Sequence, residues 1–375
     1  MNIKKLIRPC LKQFKPYVPS STVEQVSEEI NIDANKIIKL DTGENPYLES
    51  MQDKECLKKI KLFLYPDPLS TKLRKKLSIY TGYNPDYIVC GNGSDELIDL
   101  IIRAFVNPKD EVIISPPTFP MYEFFTQLAD GITIKILRSE KNNFSINVEN
   151  IVKAINKKTK LIFIDSPGNP TGVVVNNKEI ISLLKQECVI VVDEAYFEYC
   201  GQSAIKLVKK YPNLIVLRTF SKWCGLASLR IGYAIANPAI INIINSIKPP
   251  YNINAAAQAM ACSILDNRSK LQKKLSQVIK YRQELIERLN EVLNLMAYPS
   301  QGAYVLIKPK VSALKIQSFL KKKGIIVKVK KLPIIGECIR MNIGIQQEME
   351  KVVTELSKYL LTTIRDKGLP NYEKN

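Results

Sequence analysis

Four short stretches of this sequence carry residue types that could do chemistry together. In SKWCGLASLR (221–230), Ser221 and Lys222 follow an apolar run, and Arg230 comes eight residues after the lysine. In DEAY (193–196), Asp193 and Tyr196 close another apolar run. SPGNPTG (166–172) holds Asn169 in a proline-flanked turn. GNGSDE (91–96) is a glycine turn feeding a helix start at Ser94 and Asp95, where backbone N–H groups can cradle a phosphate.

Each stretch has a plainer reading when taken singly. Lysine is common in this chain, so one lysine at a strand end says little. Asp193 alone reads equally well as a strand-end acid, Asn169 as a turn residue and Arg230 as a structural cation. Taken together they supply what pyridoxal 5'-phosphate needs. A lysine amine can join the aldehyde as a Schiff base. A carboxylate can keep the pyridine nitrogen protonated, so that the ring accepts electrons. Polar groups can contact the ring hydroxyl, and backbone amides, a serine hydroxyl and an arginine can hold the phosphate.

The elements that must position these residues follow a βα rhythm. YIVCGNG (87–93) reads as a strand entering a turn, and SDELIDLIIRAF (94–105) as a helix with Ser94 and Asp95 as cap candidates. EVIISPP (111–117) is a strand stopped by prolines, FPMYEFFTQLAD (119–130) a helix ended by Gly131, and TIKILR (133–138) a strand. KLIFIDSPGNP (160–170), CVIVVDEAYF (188–197), NLIVLRTFSK (213–222) and RIGYAIAN (230–237) add four more strands. Such alternation points to an α/β domain with a mostly parallel sheet. Ligands bind beyond the carboxyl ends of strands in such sheets, and GNGSD, SPGNP, DEAY and RTFSK all sit at such ends. After residue 250 the rhythm changes. Helices are expected over 254–266 and 268–296, then strand-like AYVLIKP (303–309), a helix over 312–323, the runs IIVKVKK and ECIRMNIG, and a last amphipathic helix over 346–363. Residues 1–40 read as an arm with a short helix.

Composition excludes several classes. The chain has no histidine, which removes Ser-His-Asp triads, Cys-His pairs and imidazole metal ligands. Proton transfer falls to Lys, Tyr, Asp, Glu or Cys. The eight cysteines are widely spaced with no C-x-x-C pair, which suits reduced thiols better than a disulfide frame or a zinc site. Net charge is +19, from 55 Lys and Arg against 36 Asp and Glu. The lysines are scattered, with no arginine-rich arm, so no nucleic-acid partner is expected, while the positive field favours anionic substrates. The N-terminus has no continuous apolar core, and the chain has no apolar run long enough to span a bilayer. A cytoplasmic protein with no membrane partner is expected.

Over nearly its whole length the sequence resembles fold-type I pyridoxal-phosphate aminotransferases. Within them it is most similar to the histidinol-phosphate aminotransferases, especially their cyanobacterial and plant branch. The resemblance rests on KPYVP, KLDTGENPY, YPDP, GNGSDELIDLIIR, SPPTFPMYEF, SPGNPTG, VVDEAYFEY, LRTFSK, LRIGY, PYNIN and CIRMNIG. It implies a large α/β domain with a mostly parallel seven-stranded sheet flanked by helices, plus a small α+β domain. The divisions would be 1–45 for the arm and part of the small domain, 46–270 for the large domain, 271–365 for the small domain and 366–375 for a tail.

The resemblance also implies roles. Lys222 would carry the cofactor and then move the substrate proton. Asp193 would pair with the ring nitrogen, and Tyr196 and Asn169 would bond the ring oxygen. Phe119 would stack on the ring. Ser94, Asp95, Ser221 and Arg230 would hold the phosphate, and Tyr65 would reach that phosphate from a neighbouring subunit of a homodimer. Arg340 would bind the acidic group of a small-molecule substrate, with Tyr17, Asn45 and Lys328 lining the substrate site. The plainer readings are core packing for Phe119, a surface aromatic for Tyr65 and a pin for the arm for Tyr17.

Three positions depart from the family pattern. Ser228 stands where glycine is usual, NPYLES lacks the usual Gly-Pro after the tyrosine, and Lys328 stands where a second arginine is common. Lysine keeps the charge but loses the bidentate fork. The implied reaction is amino transfer between L-histidinol phosphate and 2-oxoglutarate. Its rivals are an aromatic amino acid aminotransferase, a phosphothreonine decarboxylase of the same fold, and a non-catalytic regulator or basic nucleic-acid binder.

Overall fold

The computed structural model describes residues 1–12, 14, 16–47 and 55–366. Its strands in chain order are β1 (Ile38–Lys39), β2 (Ile88–Gly91), β3 (Glu111–Ile114), β4 (Ile132–Lys135), β5 (Thr159–Asp165), β6 (Val189–Asp193), β7 (Leu214–Thr219), β8 (Gly232–Ala236), β9 (Leu295–Ala297), β10 (Tyr304–Pro309), β11 (Ile325–Ile326), β12 (Lys328–Leu332) and β13 (Gly336–Asn342).

Apolar runs such as LIFI and VIVV have no polar alternation, so both faces of those strands must be covered. Helices cover them. The seven strands are ordered β2-β8-β7-β6-β5-β3-β4, and β8 alone runs against its neighbours. Successive side chains point to opposite faces. Leu161, Phe163, Val191, Ile215 and Leu217 therefore meet Leu97 and Ile101 of the helix Gly93–Phe105 on one side. Ile162, Ile164, Ile190, Val192 and Val216 pack into the larger core on the other. The expected α/β fold with its mostly parallel seven-stranded sheet is present.

The register pairs Asp165 with Asp193 at the carboxyl ends of β5 and β6. Both sit at odd positions of their strands, so both point to the face that holds the helix Gly93–Phe105. Two acids thus lie side by side at the edge where a ligand is expected.

A second sheet, ordered β12-β13-β10-β9, is antiparallel, and β1 pairs with β11 in parallel. The chain ahead of the large sheet is therefore tied to the segment that follows it. The helix expected over 268–296 stops at Glu291. Val292 is extended and Asn294 has φ of +62°, which turns the chain so that Leu295–Ala297 can pair with β10 as β9. The helix read from Ser94 starts one residue earlier, at Gly93, with Asn92 at the cap position. Ser94 and Asp95 lie inside its first turn and do not cap it, and the Glu96 carboxylate accepts from the Asn92 N–H at 2.6 Å. The tail beyond 366 and residues 48–50 of NPYLES lie outside the described residues.

Candidate active site

β5, β6 and β7 end at one edge, and a cavity opens there between the large sheet and β12–β13. Charged, aromatic and backbone polar groups from both sheets converge on it, as a site for a polar ligand requires.

Its floor is Asp193, only 5% exposed. The Tyr122 hydroxyl donates to Oδ2 at 2.8 Å and the Ala195 N–H donates to Oδ1 at 3.0 Å. Burial pushes this carboxyl up to about 7, against the pull of the Tyr122 bond. No cation pairs with Asp193 among the described residues. Its neighbour Asp165 is paired, with Arg138 Nη2 at 2.5 Å, and its Oδ2 accepts the Asn169 N–H at 2.7 Å. Arg138 is fully buried and also bonds the Ser115 and Phe144 carbonyls. This pair fixes the SPGNPTG loop that carries Asn169 to the cavity wall.

Lys222 comes from the loop after β7. Its Nζ donates to the Thr42 carbonyl at 3.0 Å and lies 5.9 Å from the Tyr196 ring centre. Gly43 follows at φ +89°, and a Cβ there would stand 2.7 Å from that Nζ. Only glycine leaves the amine its space.

A second polar group lies at the start of the helix Gly93–Phe105. Arg230 donates from Nη2 to Asp95 at 2.9 Å and from Nη1 to the Ser221 hydroxyl at 3.4 Å. A Cβ on Gly93, at φ +79°, would fall 2.6 Å from Arg230 Nη2. The first-turn N–H groups, a hydroxyl and a guanidinium converge there, as an anion requires.

Opposite stands Arg340, 4% exposed. It donates to the Asp41 carbonyl at 3.2 Å and to the Tyr196 hydroxyl at 3.3 Å, and its guanidinium lies 4.3 Å from the Tyr304 ring centre. Its Nε has no hydrogen-bond partner, and no acid pairs with it among the described residues. A buried guanidinium without an acid is costly unless a ligand completes it.

Twelve of the fourteen expected residues line this one cavity: Phe119, Asn169, Tyr17 and Lys328 complete the set already named, with Lys328 donating to the Ser20 hydroxyl at 3.2 Å. Asn45 does not line it. Its amide is taken up behind the lysine, by the Tyr199 hydroxyl at 2.9 Å and the Lys222 carbonyl at 3.2 Å. Tyr65 lies away from the cavity of its own chain, 80% exposed and stacked on Tyr251. Tyr122, Asp165, Thr42 and Lys330 belong to the wall and were not anticipated. The periodicity of FPMYEFF marks Tyr122 only as a helix residue facing the core.

A sequence profile of the aminotransferase class I and II family matches residues 35–356. A histidinol-phosphate aminotransferase of Dehalococcoides mccartyi is 38% identical over 359 residues, covering 95% of this chain and 98% of the relative. The chain belongs to the class I and II aminotransferases, within the histidinol-phosphate aminotransferase family. A chloroplastic histidinol-phosphate aminotransferase of Nicotiana tabacum is 36% identical over 94% of this chain and 86% of its own. In fold, this aminotransferase is similar to the histidinol-phosphate aminotransferase of Sinorhizobium meliloti solved with pyridoxal-5'-phosphate. The TM-score is 0.84 at 21% identity, over 95% of this chain and 98% of that one. The cofactor of this aminotransferase is pyridoxal 5'-phosphate, and the cavity fits it. It offers an amine with room around it, a buried acid lacking a cation, and a helix start beside an arginine.

Proposed function

We propose that this aminotransferase moves an amino group between L-histidinol phosphate and 2-oxoglutarate, with glutamate as the donor in the biosynthetic direction. The observation that carries the reading is the buried Arg340, a guanidinium without an acid that shares a cavity with Lys222. It supplies the anchor for the anionic end of an amino substrate.

When bound, the cofactor supplies an aldehyde for the amino group and a ring that takes up the electron pair left at Cα. The residues do the rest. Asp193 would face the ring nitrogen, and a carboxylate this poorly solvated pairs strongly with a cation. Tyr196 and Asn169 would bond the ring oxygen, and Phe119 would cover the ring face. Ser94 and Asp95 at the helix start, with Ser221 and Arg230, would hold the phosphate. Lys222 would hold the cofactor aldehyde and would carry the proton from the substrate Cα. The Thr42 carbonyl holds that amine close by, while Tyr17 and Lys328 border the substrate.

We also propose a homodimer in which Tyr65 completes the partner's cavity. Leu62 and Phe63 beside it are exposed apolar residues, which supports a covered surface there. The buried thiols of Cys90, Cys188, Cys224, Cys262 and Cys338 suit a reducing compartment, and we assign the enzyme to the cytoplasm.

A substrate panel tests the reading. Purified, cofactor-loaded protein should change its cofactor absorbance with glutamate and with histidinol phosphate, and respond weakly to phenylalanine. Preference for phenylalanine, or carbon dioxide release without amino transfer, would overturn it.

A further inference from the structure

Four acids and five bases line the cavity. Three of the acids are already paired: Asp41 with Lys39 at 2.7 Å, Asp95 with Arg230 and Asp165 with Arg138. Asp193 is reserved for the ring nitrogen. Among the bases, Arg230 serves the cofactor phosphate and Lys222 the cofactor aldehyde. Lys328, Lys330 and Arg340 remain, and no acid pairs with any of them among the described residues.

These three stand on one face of one strand pair. Lys328 lies directly opposite Arg340 in the β12–β13 register, and Lys330 lies opposite Cys338. Alternate residues of a strand share a face, so Lys330 is a diagonal neighbour of Arg340, about 7–8 Å away across the ladder. Like charges set opposite each other destabilise a sheet. Burial, with Arg340 and Lys328 beside it, pushes the Lys330 ammonium down to about 8. An arrangement that costs folding energy and lacks an internal counter-charge is one built for an anion.

Resting on the functional reading above, we infer that Lys330 is a third anion-binding side chain of the substrate pocket and biases it toward a phosphate ester over a carboxylate. Glutamate spreads two negative charges over two separated groups. A phosphate monoester concentrates two charges on one group with three acceptor oxygens. Three cations grouped on one face of one strand pair match the second pattern. The ammonium of Lys330 brings up to three donors on a flexible stem, which can follow a tetrahedral group.

The experiment follows the two half-reactions separately by cofactor absorbance in wild type, Lys330→Met and Lys330→Arg. Lys330→Met should raise the KM for histidinol phosphate by about tenfold to a hundredfold, the range for a lost hydrogen bond to a charged group. Its kcat should change little by comparison. The KM for glutamate should rise by a clearly smaller factor, and Lys330→Arg should restore most of the loss. Equal losses in both half-reactions, or none in either, overturn the inference. Should the wild type fail to turn over the phosphate ester, the functional reading falls by itself. Lys330 is then judged with inorganic phosphate as a competitor of glutamate. Competition weakened in Lys330→Met supports the inference, and unaltered competition overturns it.

Discussion

The Tyr122 hydroxyl meets Asp193 Oδ2 at 2.8 Å, with both side chains buried. Tyr122 comes from the helix Met121–Leu128 and Asp193 from the end of β6. Burial pushes the Tyr122 hydroxyl well above its ordinary value, so it stays a donor and never competes as an anion. The bond favours the charged carboxylate, which is the form that pairs with a cationic ring nitrogen. Tyr122→Phe should therefore weaken cofactor binding by about tenfold, as expected for a lost bond to a charged group. Titration of cofactor-free protein by fluorescence measures this, and unchanged affinity would show that the hydroxyl plays no part.

Asp193 also costs the cofactor-free protein stability. In the unfolded chain its carboxyl ionises near 3.9, as a rough model value; folded, burial raises it to about 7. The folded chain holds the proton more tightly across that window, so stability falls as pH rises through it. Asp193→Asn removes this term. Without cofactor, the variant should gain on wild type from pH ~4 to ~7, by an amount on the order of a few kcal/mol, and the gap should level off above that. Urea unfolding at stepped pH reads the gap, and a constant gap would contradict the expectation.

Gly43→Ala should strike catalysis harder than folding. The new methyl would stand 2.7 Å from Lys222 Nζ and 3.3 Å from the Tyr196 hydroxyl, on backbone at φ +89°. Displacing a reacting amine by an ångström can cost about a hundredfold in rate. A kcat reduced on that scale, in protein that still melts cooperatively, is the expected result.

Arg138→Met tests the support of the SPGNPTG loop. It strands the buried Asp165 carboxylate without its cation. Breaking such a pair typically costs about 3–5 kcal/mol. Denaturant unfolding should show a loss of that order, and a loss below about 1 kcal/mol would place the pair at the level of surface ion pairs.

Lys222→Ala should abolish the covalent attachment of cofactor. Borohydride treatment followed by peptide mapping should label Lys222 in wild type and nothing in the variant, whose turnover should fall by more than about a hundredfold. A label on another side chain would remove Lys222 from its role.

Local patterning determined much of this protein. Short apolar runs such as VIVV, bounded by turn residues and rich in β-branched side chains, read as buried strands, and all seven strands of the large sheet were readable, as were the polar residues at their ends. Chemistry that depends on residue type at a strand end was readable too, because topology brings strand ends together whatever the loops do. Contacts between side chains far apart in the chain were not. Tyr122 is one more aromatic on a core-facing helix until folding sets it against a residue 71 positions away. Asn45 sits in a motif that points to the substrate, yet its amide is taken by the backbone behind Lys222. Lys330 is one lysine in a chain crowded with them, and only the β12–β13 register puts it beside Arg340. Periodicity is a property of neighbours along the chain, whereas pairing, burial and charge balance arise only when distant segments share one space.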